Sequence, residues 1–135
     1  MEKNVPNTPL GRMYREHIRL ILDKDLEGVL NQYHEDAVLI SSFTPDRSPK
    51  YYRGREELKV HFNEAIMSLK DLEVDIAFWG ETQNPDTLMI VEAVKVTGND
   101  GGTATMRFAD SWVLRDGRIV IHFAGLTQYP DGKVA

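Results

Sequence analysis

Residues 103–123 read TATMRFADSWVLRDGRIVIHF, and this stretch decides the fold. β-Branched and aromatic residues are frequent on both sides of Asp116-Gly117, a dipeptide typical of two-residue hairpin turns. The stretch therefore predicts two long antiparallel strands. Asp110 and His122 are ionisable residues at strand positions where an apolar residue would be easier to bury.

Three stretches in the N-terminal half repeat apolar residues at helical spacing. A first helix is predicted to begin at Thr8-Pro9, since the hydroxyl can cap free N–H groups and proline needs no N–H there. A second, short helix follows from Asp25 with Tyr33 on its inner face and closes at His34-Glu35-Asp36, and a third spans Arg55 to Leu69.

Strand patterns occupy the remaining chain. Residues 37–43 predict a strand, and residues 44–52, with two prolines, predict a loop in which Tyr51-Tyr52 acts as a lid. From Asp71 the apolar period changes to two, which indicates four antiparallel strands. The order predicts an α+β fold whose helices pack on one face of a curved sheet.

Length and composition indicate one globular domain over residues 1–135, with residues 1–7 as a loose arm. The net charge is −5, and the 16 Lys and Arg are scattered among 21 Asp and Glu, which argues against nucleic-acid or anionic-membrane partners. The absence of cysteine excludes disulfides, thiolate metal sites and a thiol nucleophile. No signal peptide or long apolar run is recognisable, so a cytoplasmic location is expected.

Alternation along the strand places Asp110 without further assumption. Met106, Phe108, Trp112 and Leu114 share its face, and their size makes that face the inner one. Desolvation there should raise the pKa of the carboxyl. Asp110 is therefore either a general acid/base or hydrogen-bond donor, or a structural carboxylate bonded to a buried tyrosine or histidine.

The two buried-histidine candidates each have two interpretations. Both faces of the last strand are apolar, so His122 is either a base paired with Asp110, titrating near neutrality, or a satisfied core histidine. His17 lies in the apolar stripe of the first helix, near Tyr14 and Tyr33, and is either a site residue or structural.

Glu92 is a charge in the middle of a predicted strand. A turn at Asn99-Asp100 would set Glu92 opposite Arg107 on the outer face, which predicts a cross-strand ion pair. That outer face is half-apolar with no further helix to cover it, so a homodimer through it is expected.

The sequence offers few signals for metals or cofactors. The four histidines have no paired i, i+4 spacing, and P-loop, dinucleotide and nucleophile-elbow motifs are absent. We therefore predict no metal site and no cofactor.

Several phrases in order resemble the nuclear transport factor 2-like superfamily, particularly its ketosteroid-isomerase and SnoaL-like polyketide-cyclase group. The likeness covers residues 9–128. The phrases are Asp25-Leu26-Glu27-Gly28 with Tyr33-His34-Glu35-Asp36-Ala37-Val38, Arg53-Gly54-Arg55-Glu56-Glu57-Leu58, and Phe108-Ala109-Asp110-Ser111-Trp112 with Asp116-Gly117-Arg118-Ile119.

The resemblance implies a cone-shaped sheet whose interior binds an apolar carbonyl compound. In the isomerase branch, a carboxylate base on the first strand works with a tyrosine and a protonated aspartic acid. The aspartic-acid position falls on Asp110, the tyrosine position on His17 with Tyr14 one turn earlier, and the base position on Ser41. The register also turns His122 inward. Serine cannot replace a carboxylate base, so steroid isomerisation of that kind is not expected.

These observations predict a cofactor-independent acid–base enzyme of the isomerase, dehydratase or cyclase type, acting on a small apolar carbonyl compound. Asp110 would donate or shuttle the proton, His122 would be its partner base, and His17 with Tyr14 or Tyr33 would polarise the substrate. The alternative is a non-catalytic ligand-binding or dimerisation module. The predicted substrate-binding residues are Tyr14, Tyr33, Ser41, Phe43, Phe62, Met106, Phe108, Trp112 and Leu126.

Overall fold

The computed structural model describes residues 1–134, which form three helices and seven strands of one mixed sheet. The predicted α+β fold is confirmed. In chain order the elements are β1 (Glu2–Lys3), α1 (Pro9–Leu22), α2 (Leu26–Asn31), β2 (Tyr33–Ser41), β3 (Lys50–Arg53), α3 (Gly54–Met67), β4 (Leu69–Thr82), β5 (Thr87–Gly98), β6 (Thr103–Arg115) and β7 (Arg118–Gln128).

The sheet has the order β1-β4-β5-β6-β7-β2-β3 and does not close. The β1/β4 and β2/β7 pairs are parallel, and the other neighbours are antiparallel. One core joins the inner face of the sheet to the helices, with Trp112, Leu88 and Ile119 from strands and Leu58 and Ile66 from α3 among its most buried members. Inward side chains of the central strands therefore lie under α1 and α3.

The first residues are part of the sheet, so the expectation of a loose arm was wrong for them. The Met1 amino group donates to the Leu72 carbonyl at 2.7 Å, and Glu2 pairs with Val74 in β1/β4. Val5 is buried. The free edge of β4 offers unpaired backbone groups to this segment, and a two-residue strand is too short to show periodicity.

The start of α1 fixes the direction in which the helix points its side chains. The Thr8 hydroxyl accepts from the Gly11 N–H at 3.0 Å, and Pro9 occupies the first helical position, as predicted. A Cβ on Gly11 would lie 1.8 Å from the Pro6 carbonyl oxygen, so only glycine allows this approach. Tyr14 and His17 consequently face the sheet and are buried.

Two predicted boundaries around β2 were wrong. Tyr33 begins β2 instead of continuing α2, and Lys50–Arg53 form β3 instead of a loop. Tyr51 pairs with Ile40 and Tyr52 with Leu39, so these tyrosines belong to the sheet and do not form a lid. The two prolines of residues 44–52, Pro45 and Pro49, both lie before β3 begins at Lys50.

The β6–β7 hairpin is confirmed, with Asp116 and Gly117 both at positive φ. One irregularity lies in β7, where Leu114 pairs with Ile119 but Val113 pairs with Ile121. The extra residue, Val120, is a β-bulge that lets both Ile119 and His122 point inward. This bulge explains why both faces of the strand are apolar in the sequence.

The β5–β6 register differs from the prediction by one residue. The connecting loop spans Gly98–Gly102 and pairs Thr97 with Thr103, so Glu92 lies opposite Phe108. Arg107 lies opposite Ala93 instead. Because a slip of one residue turns every side chain to the other face, Glu92 points into the core. The predicted outer ion pair was wrong.

No helix in residues 1–134 is long and apolar enough to cross a membrane.

Candidate functional site

Five polar side chains from five different elements meet inside the cone. The Tyr33 hydroxyl lies 2.7 Å from His122 Nδ1, and His122 Nε2 lies 3.5 Å from Asp110 Oδ2. Asp110 shares the inner face of the sheet with Glu92 of β5, whose Oε2 accepts a hydrogen bond from the Tyr14 hydroxyl. The cone therefore holds a polar chain that runs from β2 across the sheet to α1.

Asp110 points inward, as its strand alternation predicts. Its side chain is 11 % exposed, and its Oδ1 is buried without a hydrogen-bond partner in residues 1–134. Burial raises the pKa of Asp110 to about 7, although the neighbouring Glu92 carboxyl and the Gly125 backbone amide offset part of the rise. The carboxyl is thus poised to gain or lose a proton near neutral pH.

His122 is buried and has a defined tautomer. Among the described residues, the Tyr33 hydroxyl has Nδ1 as its hydrogen-bond partner, so it donates to Nδ1 and leaves the proton of His122 on Nε2, facing Asp110. Burial lowers the pKa of His122 to about 4, although the Glu92 charge opposes this. The prediction of a base titrating near neutrality was wrong because burial outweighs the carboxyl groups nearby.

Glu92 is the inward residue that the sequence interpretation missed. It is 8 % exposed, and burial followed by the charge of Asp110 raises its pKa well above the usual range. Its partner Tyr14 also has a raised pKa, mainly through burial. The length of the Gly98–Gly102 loop was the signal that could have placed Glu92, because it sets the β5–β6 register.

His17 lies beside the polar chain and is held by other groups. Its Nδ1 is 2.8 Å from Gln32 Oε1, and Gln32 Nε2 donates to the Met13 carbonyl at 3.1 Å, which fixes the amide orientation. Nδ1 therefore carries the proton. Burial lowers the pKa of His17 to about 4, and its ring packs edge-on to Trp112 with centroids 5.2 Å apart. In residues 1–134, no hydrogen bond joins His17 to Asp110 or His122.

The predicted binding residues divide into an inner wall and a rim. Phe43 is the rim residue: it is 53 % exposed, and its ring meets Phe108 edge-on at 6.3 Å between centroids. Ser41 is buried, and its Oγ accepts from the Phe43 N–H at 3.1 Å, so it shapes the exit from β2. The buried wall residues are Tyr14, Tyr33, Phe62, Met106, Trp112 and Leu126.

Three grooves of the described chain lie mainly outside this polar chain. Grooves of about 370 and 440 Å³ border β1, the first near β4–β6 and the second near α1. A smaller one of about 170 Å³ lies near Tyr33 and Arg118. These three grooves of the described chain are not lined by Asp110, Glu92 or His122. Within the polar chain, the ring of Trp112 packs against His122 and Tyr14, with centroids 6.0 Å from each.

Within residues 1–134, no three His, Cys, Asp or Glu side chains cluster so that they could hold a metal ion.

The family model for the SnoaL-like domain matches residues 14–122, which include every member of the polar chain. This chain belongs to the SnoaL-like domain family. The resemblance stated from the sequence is confirmed. A search of curated protein sequences found no match to this SnoaL-like domain.

Solved structures share the fold of this SnoaL-like domain at low sequence identity. A nuclear transport factor 2-like protein from Burkholderia pseudomallei is 18 % identical, with a TM-score of 0.70 over 88 % of this chain and 91 % of that one. TerC, co-crystallised with polyporic acid, is 21 % identical, with a TM-score of 0.69 over 88 % and 92 %. Rv0760c from Mycobacterium tuberculosis, in complex with estradiol-17β-hemisuccinate, is 20 % identical, with a TM-score of 0.69 over 87 % and 93 %.

Proposed function

We propose that this SnoaL-like domain is a cofactor-independent acid–base enzyme that acts on a small apolar carbonyl compound by isomerisation, dehydration or cyclisation. The observation that carries the proposal is Asp110. One of its oxygens is buried without a partner, and burial brings the pKa of the carboxyl to about 7. A general acid or base works best when its pKa lies near the operating pH.

The neighbours of Asp110 suggest a role for each of the other candidates. His122 directs its Nε2–H towards Asp110 Oδ2 and so orients the carboxyl, while Tyr33 holds the tautomer. His17 is neutral with its proton engaged by Gln32, so its Nε2, which has no hydrogen-bond partner in residues 1–134, would accept a hydrogen bond from a substrate hydroxyl. This differs from the polarising donor expected from the sequence, because a neutral imidazole has one N–H to give.

The ligands of two proteins with this fold support a small-molecule pocket. Polyporic acid was co-crystallised with TerC, and estradiol-17β-hemisuccinate is bound to Rv0760c. In this chain Phe62, Phe108 and Trp112 belong to the core inside the cone, where Asp110 Oδ1 has no hydrogen-bond partner in residues 1–134. An apolar wall with few polar groups is typical of small-molecule sites.

Binding of these two compounds tests the pocket. Each is titrated into the protein while tryptophan fluorescence is followed, since Trp112 is buried in the wall and Trp79 lies against Tyr14. We expect a saturable change in fluorescence that is largely lost in Trp112→Phe. In that variant Trp79 is the remaining tryptophan, and its fluorescence serves as an internal control. If neither compound gives a saturable change, and no small molecule co-purifies with the protein, the pocket proposal is wrong.

The alternative, a non-catalytic ligand-binding module, is favoured by Ser41. It occupies the position that the resemblance assigns to the base, and its hydroxyl is already used by the backbone of Phe43. Prolonged incubation with a bound carbonyl compound separates the two functions: unchanged compound at saturating protein supports the binding module, and a product that depends on Asp110 supports the enzyme.

We also propose a homodimer through the outer face of the sheet. Phe78, Met89, Phe123 and Tyr51 are exposed there. Met89 and Phe123 both pair with Ser111, and Ile40 joins Phe123 to Tyr51, so a row that is apolar except for Ser111 runs across β5, β6, β7, β2 and β3. Such a self-complementary surface suits a two-fold interface. Sedimentation of the protein and of Phe123→Lys tests this: a dimer that Phe123→Lys dissociates supports it, and a monomer at high concentration contradicts it.

A further inference from the structure

Glu92 and Asp110 form a pair of buried carboxyl groups on neighbouring strands. Glu92 lies opposite Phe108 and Asp110 lies opposite Ile90, so the two acids are diagonal neighbours on the inner face. In residues 1–134, no Lys or Arg makes a salt bridge to either of them, and the nitrogen 3.5 Å from Asp110 Oδ2 belongs to the neutral His122. The pair therefore lacks a permanent cation.

Two negative charges in this place would be very costly. The groups around the pair are neutral side chains: Tyr14 from α1 donates to Glu92, His122 from β7 faces Asp110, and Tyr33 from β2 bonds to His122, while Ile76 of β4 lies opposite Glu92. Burial lowers the pKa of His122, and of the more distant His17 and His61, to about 4, so none supplies a positive charge at neutral pH. Like charges this close together inside a protein cannot both ionise, so one proton remains on the pair.

Hydrogen bonds and burial together indicate which carboxyl holds that proton. Asp110 Oδ2 faces the Nε2–H of His122, and Asp110 Oδ1 is buried without a partner in residues 1–134. A proton on Glu92 can be donated to Asp110 while the Glu92 Oε2 still accepts from the Tyr14 hydroxyl. The reverse arrangement makes as many hydrogen bonds, but burial raises the pKa of Glu92 well above the usual range and that of Asp110 only to about 7, which favours the proton on Glu92.

We propose that Glu92 holds the one proton that the two carboxyl groups share at neutral pH, and that it thereby keeps Asp110 available as the base. Glu92 is a positioning residue, because it acts through Asp110. The catalytic part of this inference rests on the proposed function, whereas the shared proton does not.

The arrangement gives this site the base that Ser41 does not provide. Asp110 takes a proton from the carbon next to the substrate carbonyl, and the electron pair of that C–H bond moves onto the carbonyl oxygen as an enolate. Asp110 then returns the proton to another atom of the conjugated system. Glu92 keeps its proton throughout, so charge and protons balance without a further reactant.

Carbon-13 NMR of side-chain carboxyl groups tests the shared proton without any substrate. In the wild-type protein at pH 7, the Glu92 carboxyl carbon is expected at the position of a protonated acid, with Glu92→Gln assigning the signal. Asp110 should titrate near neutrality. The discriminating measurement is the titration midpoint of Asp110 in Glu92→Gln and Glu92→Leu.

The direction in which the Asp110 midpoint shifts shows whether Glu92 is protonated or ionised. If Glu92 is a neutral donor, Gln should leave the Asp110 midpoint nearly unchanged, because its amide also donates, and Leu should raise it by about 1 pH unit. If Glu92 is ionised, both variants remove a repelling charge and lower the midpoint, which overturns the proposal. Should Glu92→Leu not fold, the wild-type spectrum and Glu92→Gln still decide.

This outcome is independent of the proposed function. If Glu92 is protonated but the protein converts no substrate, the shared-proton proposal stands and the proposed enzymatic function is wrong. If Glu92 is ionised but turnover depends on Asp110, the shared-proton proposal is wrong and the proposed enzymatic function stands.

Discussion

Replacing Asp110 with asparagine should lower turnover of a converted substrate by at least about 100-fold, the usual contribution of a general acid or base. Asparagine has nearly the same size and can still accept the Nε2–H of His122. It has no proton to exchange near neutral pH, whereas burial brings the pKa of Asp110 to about 7. Steady-state rates with the compound identified from the pocket are the measurement.

The control is Ser111→Ala, next to Asp110 on the same strand but on the outer face, opposite Met89 and Phe123. Its turnover should match the wild type. Asp110→Asn should still bind the compound, because the apolar wall is unchanged. Wild-type turnover in Asp110→Asn would exclude this carboxyl from the mechanism.

Replacing Trp112 with alanine should lower the free energy of unfolding by about 3–5 kcal/mol, as for other large core aromatic residues. Trp112 is 2 % exposed, and its ring contacts those of Tyr14, His17 and His122. The substitution removes apolar area and leaves a cavity in the middle of the polar chain. Urea unfolding followed by circular dichroism measures the change.

A matched control lies on α3, where Val60 is 58 % exposed. Val60→Ala should change the free energy of unfolding by no more than about 0.5 kcal/mol, as expected for a surface position. A loss below about 1 kcal/mol for Trp112→Ala would mean that the ring is not packed between α1 and the sheet as described.

The sequence correctly predicted features that depend on neighbouring residues, such as turns, strand alternation and helix starts. The Asp116-Gly117 turn and the alternation around Asp110 placed β6 and its inner face correctly. The Thr8-Pro9 start of α1 was also correct, and with it the inward direction of His17.

Features that depend on contacts between residues far apart in the chain could not be predicted from local patterns. The side of the sheet on which Glu92 lies depends on whether two or five residues separate the last paired residues of β5 and β6, and glycines in that segment permit either. Because of the bulge at Val120, strand alternation did not show which face of the sheet His122 lies on. Strands β1 and β3 are short, and they exist because they pair with β4 and β2.

Asp110 is buried and titrates near neutral pH, and this has a consequence for stability. In the unfolded chain an aspartate ionises near pH 4, whereas in the folded protein burial raises the pKa of Asp110 to about 7. Between these values the folded state binds more protons than the unfolded state, so this group makes the protein less stable as pH rises. His17 and His122 act in the opposite sense below pH 6.5, since their folded pKa is about 4.

The most direct test is therefore the difference in free energy of unfolding between Asp110→Asn and the wild type, measured from pH 4 to pH 8. Both proteins contain the same histidines, so the effects of His17 and His122 largely cancel. The difference should shift in favour of Asp110→Asn with rising pH, by up to about 1.4 kcal/mol per pH unit, and level off above about pH 7. A difference that does not change with pH, or that shifts in favour of the wild type, would contradict a proton held by Asp110 in the folded protein.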